Sequence, residues 1–102
     1  MVELSQQAED ALRPARRANV QWRQVGGDVL IMHALLKQYH ILNSVAARIW
    51  ELSDGSRTSG EIATLIAEEH SHDHAEVHRD VVETLEGLEA LQLLDFKAPG
   101  EV

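Results

Sequence analysis

Apolar residues follow two rhythms along this chain. In NVQWRQV, from Asn19 to Val25, they alternate: Val20, Trp22 and Gln24 fall on one side, Gln21, Arg23 and Val25 on the other. That is the period of a half-buried strand. Gly26-Gly27-Asp28 supplies the residues of a tight hairpin turn. VLIMH follows as an unbroken, β-branched run, which reads as a second strand buried on both faces. The next segment, ALLKQYHIL, fits two structures. A turn near Lys37 followed by a third strand from Gln38 to Leu42 is one, although no Gly, Asn or Pro marks that turn. The other is a single helix from about Val29 to Leu52, because Ile31, Leu35, Tyr39, Leu42, Ala46 and Ile49 step by three or four. Periodicity does not choose between them.

Beyond residue 42 the rhythm is helical and clearly punctuated. Asn43 can cap a helix carrying Val45, Ala46, Ile49, Trp50 and Leu52, with Gly55 as its left-handed stop. Thr58 and Glu61 have capping-box spacing and open a second helix, with Ile62, Leu65 and Ile66 inward. Asp73 and Glu76 repeat the spacing before a third helix whose stripe is Val77, Val81, Leu85 and Leu88. Leu93–Phe96 reads as a short closing strand. Residues 1–12 carry no strong pattern, Pro14 ends any helix there, and Pro99 and Gly100 mark the other end. The expected organisation is a flexible tail at 1–12, one domain at 13–96 and a flexible tail at 97–102.

Length and charge narrow the class. A chain of 102 residues is one domain, and the absence of cysteine excludes disulfides and thiolate metal sites. No segment approaches the roughly 20 apolar residues of a membrane span, so a soluble cytoplasmic protein is expected. The net charge of −8 is uneven: residues 1–50 hold six Lys/Arg against four Asp/Glu, residues 51–102 three against thirteen. Such a C-terminal half repels nucleic acid and anionic membranes.

Several side chains invite a functional reading. His70, His72 and His74 alternate, and His74 and His78 have the helical i,i+4 spacing that can ligate zinc or nickel, with Glu69 or Asp73 as a carboxylate partner. Loop histidines beside acids are more often solvated, and no HExxH is present, so no functional metal site is expected. Trp50, among apolar helical neighbours, reads as core. Trp22 divides evenly between core and partner surface. Arg13, Arg16, Arg17 and Arg23 could meet an acidic partner, but solubility of an exposed arm accounts for them slightly better. No catalytic constellation is present.

The ordered set Leu42-Asn43, Ala46, Ile49-Trp50, Leu52, Asp54-Gly55, Arg57-Thr58 and Glu61-Ile62 resembles the signature of the PqqD family, LN…A…IW.L.DG.RT..EI. DVVETLEGLEALQLL resembles that family's acidic, leucine-rich third helix, and RPARRANVQW with the Asp28 strand fits its N-terminal hairpin more loosely. The resemblance covers roughly residues 13–96. Three departures stand out: ALLKQYHIL replaces a more polar loop, Gln92 stands where the family usually has Gly, and His70-Ser-His-Asp-His74 is unusual.

The resemblance implies an α+β, winged-helix-like fold, a three-stranded antiparallel N-terminal sheet followed by three helices. It also implies a RiPP recognition element, a chaperone without catalysis or cofactor. Such a domain takes the leader of a ribosomally made precursor peptide as an added strand and presents it to a modifying enzyme. In PQQ biosynthesis that enzyme is of the radical S-adenosylmethionine type. On this reading Tyr39–Leu42 is a strand, and the peptide contacts Gln38, Tyr39, His40, Ile41 and Leu42. Val82, Leu85 and Glu86 on the third helix form the facing wall, Val82 being better placed than Leu85 because it lies off the core stripe. An edge strand's unpaired backbone groups suit strand addition on general grounds as well. The alternative is a winged-helix DNA-binding regulator. Its recognition helix would need basic residues, whereas this one offers Glu76, Asp80, Glu83, Glu86 and Glu89 against a lone Arg79. Monomer and strand-exchanged homodimer both remain open.

Overall fold

The computed structural model describes residues 12–70 and 73–98. Its strands are β1 (Arg13–Arg16), β2 (Val20–Val25), β3 (Asp28–His33), β4 (Gln38–Leu42) and β5 (Leu94–Lys97). Its helices are α1 (Ser44–Leu52), α2 (Ser59–His70) and α3 (His74–Ala90). Strands β2, β3 and β4 form one antiparallel sheet in that order, and β1 pairs with β5 in a second. The expected fold class is therefore present, with an additional two-stranded sheet. Among the described residues no helix is long and apolar enough to cross a membrane.

The first hairpin forms where expected. Gly26 has φ 63 and Gly27 does not share the left-handed region, the pattern of a type II′ turn joining Val25 to Asp28. In the second hairpin Gln38–Leu42 is a strand, so the single-helix reading of Val29–Leu52 is excluded. The intervening turn works without glycine because Lys37 itself adopts φ 54 and the Leu36 N–H donates to His33 Nδ1 at 3.2 Å. Strand β3 is not buried on both faces. Val29, Ile31 and His33 are buried, but Leu30 and Met32 are only partly covered, because the helices pack on one side of the sheet.

Strand β1 went unanticipated, since Pro14 reads as a helix breaker. Proline is acceptable in it because Pro14, whose carbonyl accepts the Gly55 N–H, turns its backbone away from β5, so no β1–β5 bond is lost. Arg13, Pro14, Ala15 and Arg16 pair with Lys97, Phe96, Asp95 and Leu94. The expected tails fall mostly on residues outside those described. At their inner limits, the Leu12 carbonyl accepts the Ser59 N–H at 3.1 Å, and Lys97 ends β5.

Between the sheets and helices lies one core, built from Val20, Val29 and Ile31, then Ile49 and Trp50 of α1, Ile62 and Ile66 of α2, Val77, Val81, Leu85 and Leu88 of α3, and Leu93 and Leu94. Helix ends are satisfied locally. Asn43 Oδ1 accepts the Ala46 N–H, Thr58 and Glu61 exchange both capping-box bonds, and Asp73 Oδ1 accepts from Ala75 and Glu76. Gly55 does not stop α1 as expected. Ser53 does, donating its N–H to the Trp50 carbonyl and its hydroxyl to that of Ile49. The φ of 87 at Gly55 instead turns the following loop onto β1, where the Gly55 N–H meets the Pro14 carbonyl at 2.9 Å. Helix α3 ends in a Schellman motif: Leu93 N–H to Leu88 carbonyl, Gln92 N–H to Glu89 carbonyl, with Gln92 at φ 62. The position where the resemblance calls for Gly is thus a left-handed one.

Candidate functional site

Which backbone groups of β4 are free follows from the register. A type II′ turn bonds its first and fourth residues, so Val25 and Asp28 are a hydrogen-bonded pair. Backbone groups of a strand alternate sides residue by residue. Leu30 and Met32 therefore also bond to β2, while Val29, Ile31 and His33 bond to Leu42, His40 and Gln38 of β4. Tyr39 and Ile41 are left with N–H and C=O pointing away from the sheet. Among the described residues no strand pairs with that side of β4.

The other edge, β2, is likewise unpaired by a strand among the described residues, but side chains gather along it. By the same alternation Val20, Trp22 and Gln24 direct their backbone outward from β2. The Val20 N–H donates to the Arg17 carbonyl, the Arg16 guanidinium lies 5.0 Å from the Trp22 ring, and the Gln24 amide bonds Glu51. The β4 edge carries the more exposed apolar pair: Tyr39 is 69% exposed and Ile41 75%, against 37% for Trp22 and 56% for Val25 on β2. His40 and Leu42 turn to the helix side of the sheet, half-buried, and Leu42 packs against the core. Gln38 is exposed at the start of the strand.

The helix residues expected to face this edge lie elsewhere together. Val82, Leu85 and Glu86 line a cleft of about 350 Å³ with Leu12, Ser59, Glu89 and Phe96. None of these described lining residues belongs to β4. Leu85 is its fully buried floor, Val82 is half-buried, and Glu86 and Glu89 stand at the rim. The cleft exists because β5 carries Phe96 beside α3, a neighbour that β5's unseen partner strand β1 concealed from sequence reasoning.

The remaining candidates are absorbed into the fold. Trp50 is wholly buried and meets the half-exposed Trp22 edge-on at 6.1 Å. Arg16 donates to the carbonyls of Trp50 at 2.7 Å and Glu51 at 2.9 Å, closing the C-terminus of α1. Arg17 pairs with Asp95 at 2.9 Å. His74 and His78 stack at 6.4 Å, and His74 Nε2 lies 2.9 Å from Thr64 Oγ1. His72 lies outside the described residues, among which no three His, Asp or Glu side chains converge as metal ligands. Three carboxyls are held below their usual range: Asp54 by hydrogen bonds from Ser56, Glu61 by Thr58, and Glu69 by the two-pronged contact from Arg48. All three are caps or ion pairs, and none lies on the β4 edge.

A three-stranded sheet backed by three helices, with its β4 edge unpaired among the described residues, is the frame that holds the candidate site. The family model for coenzyme PQQ synthesis protein D (PqqD) matches residues 28–94, and the chain belongs to the PqqD family. No curated protein matched significantly. Among solved structures, TbiB1 in complex with the TbiA(beta) leader peptide is 27% identical, with a TM-score of 0.73 over 86% of this chain and 98% of its own. Lasso peptide synthetase B1 complexed with the leader peptide is 16% identical, with a TM-score of 0.74 over 81% and 98%. The PqqD truncation of Methylobacterium extorquens PqqCD, a stand-alone RiPP recognition element studied in solution by NMR, is 20% identical, with a TM-score of 0.69 over 85% and 92%. The last two likenesses concern the fold.

Proposed function

We propose that this domain binds the leader of a ribosomally synthesised precursor peptide by adding it as a strand along β4, and presents the precursor to a separate modifying enzyme. The carrying observation is the pair of outward-facing backbone units at Tyr39 and Ile41, flanked by their own exposed apolar side chains on the β4 edge. Backbone pairing supplies affinity for any extended peptide, and flanking side chains supply selectivity. That TbiB1 is seen with a leader peptide supports the same use of this fold. The domain acts by binding, without chemistry of its own. Its enzyme partner is of the radical S-adenosylmethionine type, and both work in the cytoplasm. Gln38–Leu42 hold the leader. Val82, Leu85 and Glu86 offer a further contact to a peptide long enough to reach α3. A homodimer formed through β4 would compete with the leader for the same edge. The acidic exposed side of α3 argues against the DNA-binding alternative.

Calorimetric titration of a cognate leader, with melting curves in parallel, tests this reading. Ile41→Pro removes an outward N–H and leaves the β3–β4 ladder intact, so it should fold normally and bind at least about tenfold more weakly. His40→Pro removes a bond to Ile31 and should lower stability by about 3 kcal/mol. Val82→Glu should retain the fold and weaken binding less than Ile41→Pro. A folded Ile41→Pro variant that binds like wild type would falsify the edge assignment.

A further inference from the structure

We infer that the bound peptide is also read on the sheet face opposite the helices, where Tyr39 and Ile41 select apolar side chains at two peptide positions, i and i+2. This rests on the strand-addition reading and extends it to a second surface. On that face Leu30 lies across from Ile41, and Met32 across from Tyr39. The four make an apolar patch that is partly covered on β3 and open on β4, where Tyr39 and Ile41 are 69% and 75% exposed. The patch stops abruptly at the edge where a strand would add.

Geometry then fixes what the incoming strand presents there. The residues whose backbone groups point outward are Tyr39 and Ile41 themselves. Peptide residues directly opposite them project side chains to the same face, within cross-strand contact of the phenol ring and the isoleucine. The intervening peptide residue, opposite His40, projects to the helix side. A peptide with aromatic or β-branched residues at both outward positions therefore completes the patch, whereas polar ones leave Tyr39 and Ile41 exposed. Neither Leu30, Met32, Tyr39 nor Ile41 carries a charge, so the preference is for apolar character.

The test is selection from a display library of random peptides against the full chain, and separately against the Tyr39→Thr, Ile41→Thr double variant. Selected peptides count as edge-bound when Ile41→Pro abolishes their binding. Edge-bound peptides from wild type should be enriched in apolar residues at two positions separated by one. The double variant should lose that enrichment and keep any preference at the intervening position. Wild-type-selected peptides should bind it about three- to tenfold more weakly, the scale of two cross-strand pairs. Edge-bound peptides with no such enrichment, or with the same enrichment in the double variant, would overturn the second surface while leaving strand addition standing. If no selected peptide responds to Ile41→Pro, strand addition itself fails and the inference falls with it. A wild-type chain that sedimentation shows to be a dimer, and that Ile41→Pro makes monomeric, would give the patch to a second copy instead.

Discussion

The two sheets of this domain use the same backbone chemistry to opposite ends. Along β1 the backbone groups that face away from β5 are engaged by the loop after α1. Arg16 N–H meets the Ser53 carbonyl, Arg17 N–H that of Leu93, and Gly55 N–H that of Pro14, while Asp54 bridges to Ala15 and Asp95 pairs with Arg17. Along β2 of the three-stranded sheet, the Val20 N–H meets the Arg17 carbonyl, and the Arg16 and Glu51 side chains lie against those of Trp22 and Gln24. The β4 side of that sheet ends in free donors and acceptors flanked by exposed apolar side chains. On the proposed reading the contrast separates two jobs: one sheet ties the chain together, and the other keeps a place for a partner. An unpaired strand edge is an aggregation risk that folded proteins usually blunt, so an open and apolar one points to an occupant.

Substitutions can break that division at its joint or sharpen it on either side. Trp50 is the joint, since its ring meets Trp22 of the open sheet and its carbonyl accepts from Arg16 of the closed one. Trp50→Ala should cost ~3–5 kcal/mol in denaturant melts, as for other large buried aromatics. A loss below ~1 kcal/mol would show that the two sheets do not depend on a shared core. Arg16→Ala should follow at ~2 kcal/mol, because two bonds from a charged group vanish and the Glu51 carbonyl loses its donor, while the Trp50 carbonyl keeps the Ser53 N–H. Leader affinity measured on the folded variant should stay within about twofold of wild type. A larger loss of affinity would mean the closed side communicates with β4. The smallest effect expected is a gain: Gln92→Gly relieves a left-handed residue with a side chain and should raise stability by ~0.5–1 kcal/mol, read as a higher melting temperature.

Local chemistry explains what the sequence revealed and what it withheld. Asn43, Thr58 with Glu61, and Asp73 announce three helix starts because each side chain bonds its own helix within three residues. The core stripe Val77, Val81, Leu85 and Leu88 was legible for the same reason, a period set by one element alone. The turn before β4 was hidden because its stabilising group is an imidazole outside the turn, and its left-handed residue is a lysine. Strand β1 was hidden because its partner lies at the far end of the chain, and its proline resembles a break. At the candidate site Gln38–Leu42 could be read as a strand only with the family resemblance. The neighbours of Val82 and Glu86 could not be read at all, since Phe96 reaches them through the β1–β5 pairing.

That pairing also decides how the domain can be wired to other polypeptides. Arg13 and Lys97 are direct partners across the ribbon, so the points where chain enters and leaves sit only about 5 Å apart at the Cα atoms. A unit whose entry and exit coincide can be inserted into a loop of a host protein with little distortion of either. The β4 edge takes no part in that connection. Grafted in this way into a chosen enzyme, the domain would serve, on the proposed reading, as a transplantable docking cassette whose β4 edge stays independent of the splice.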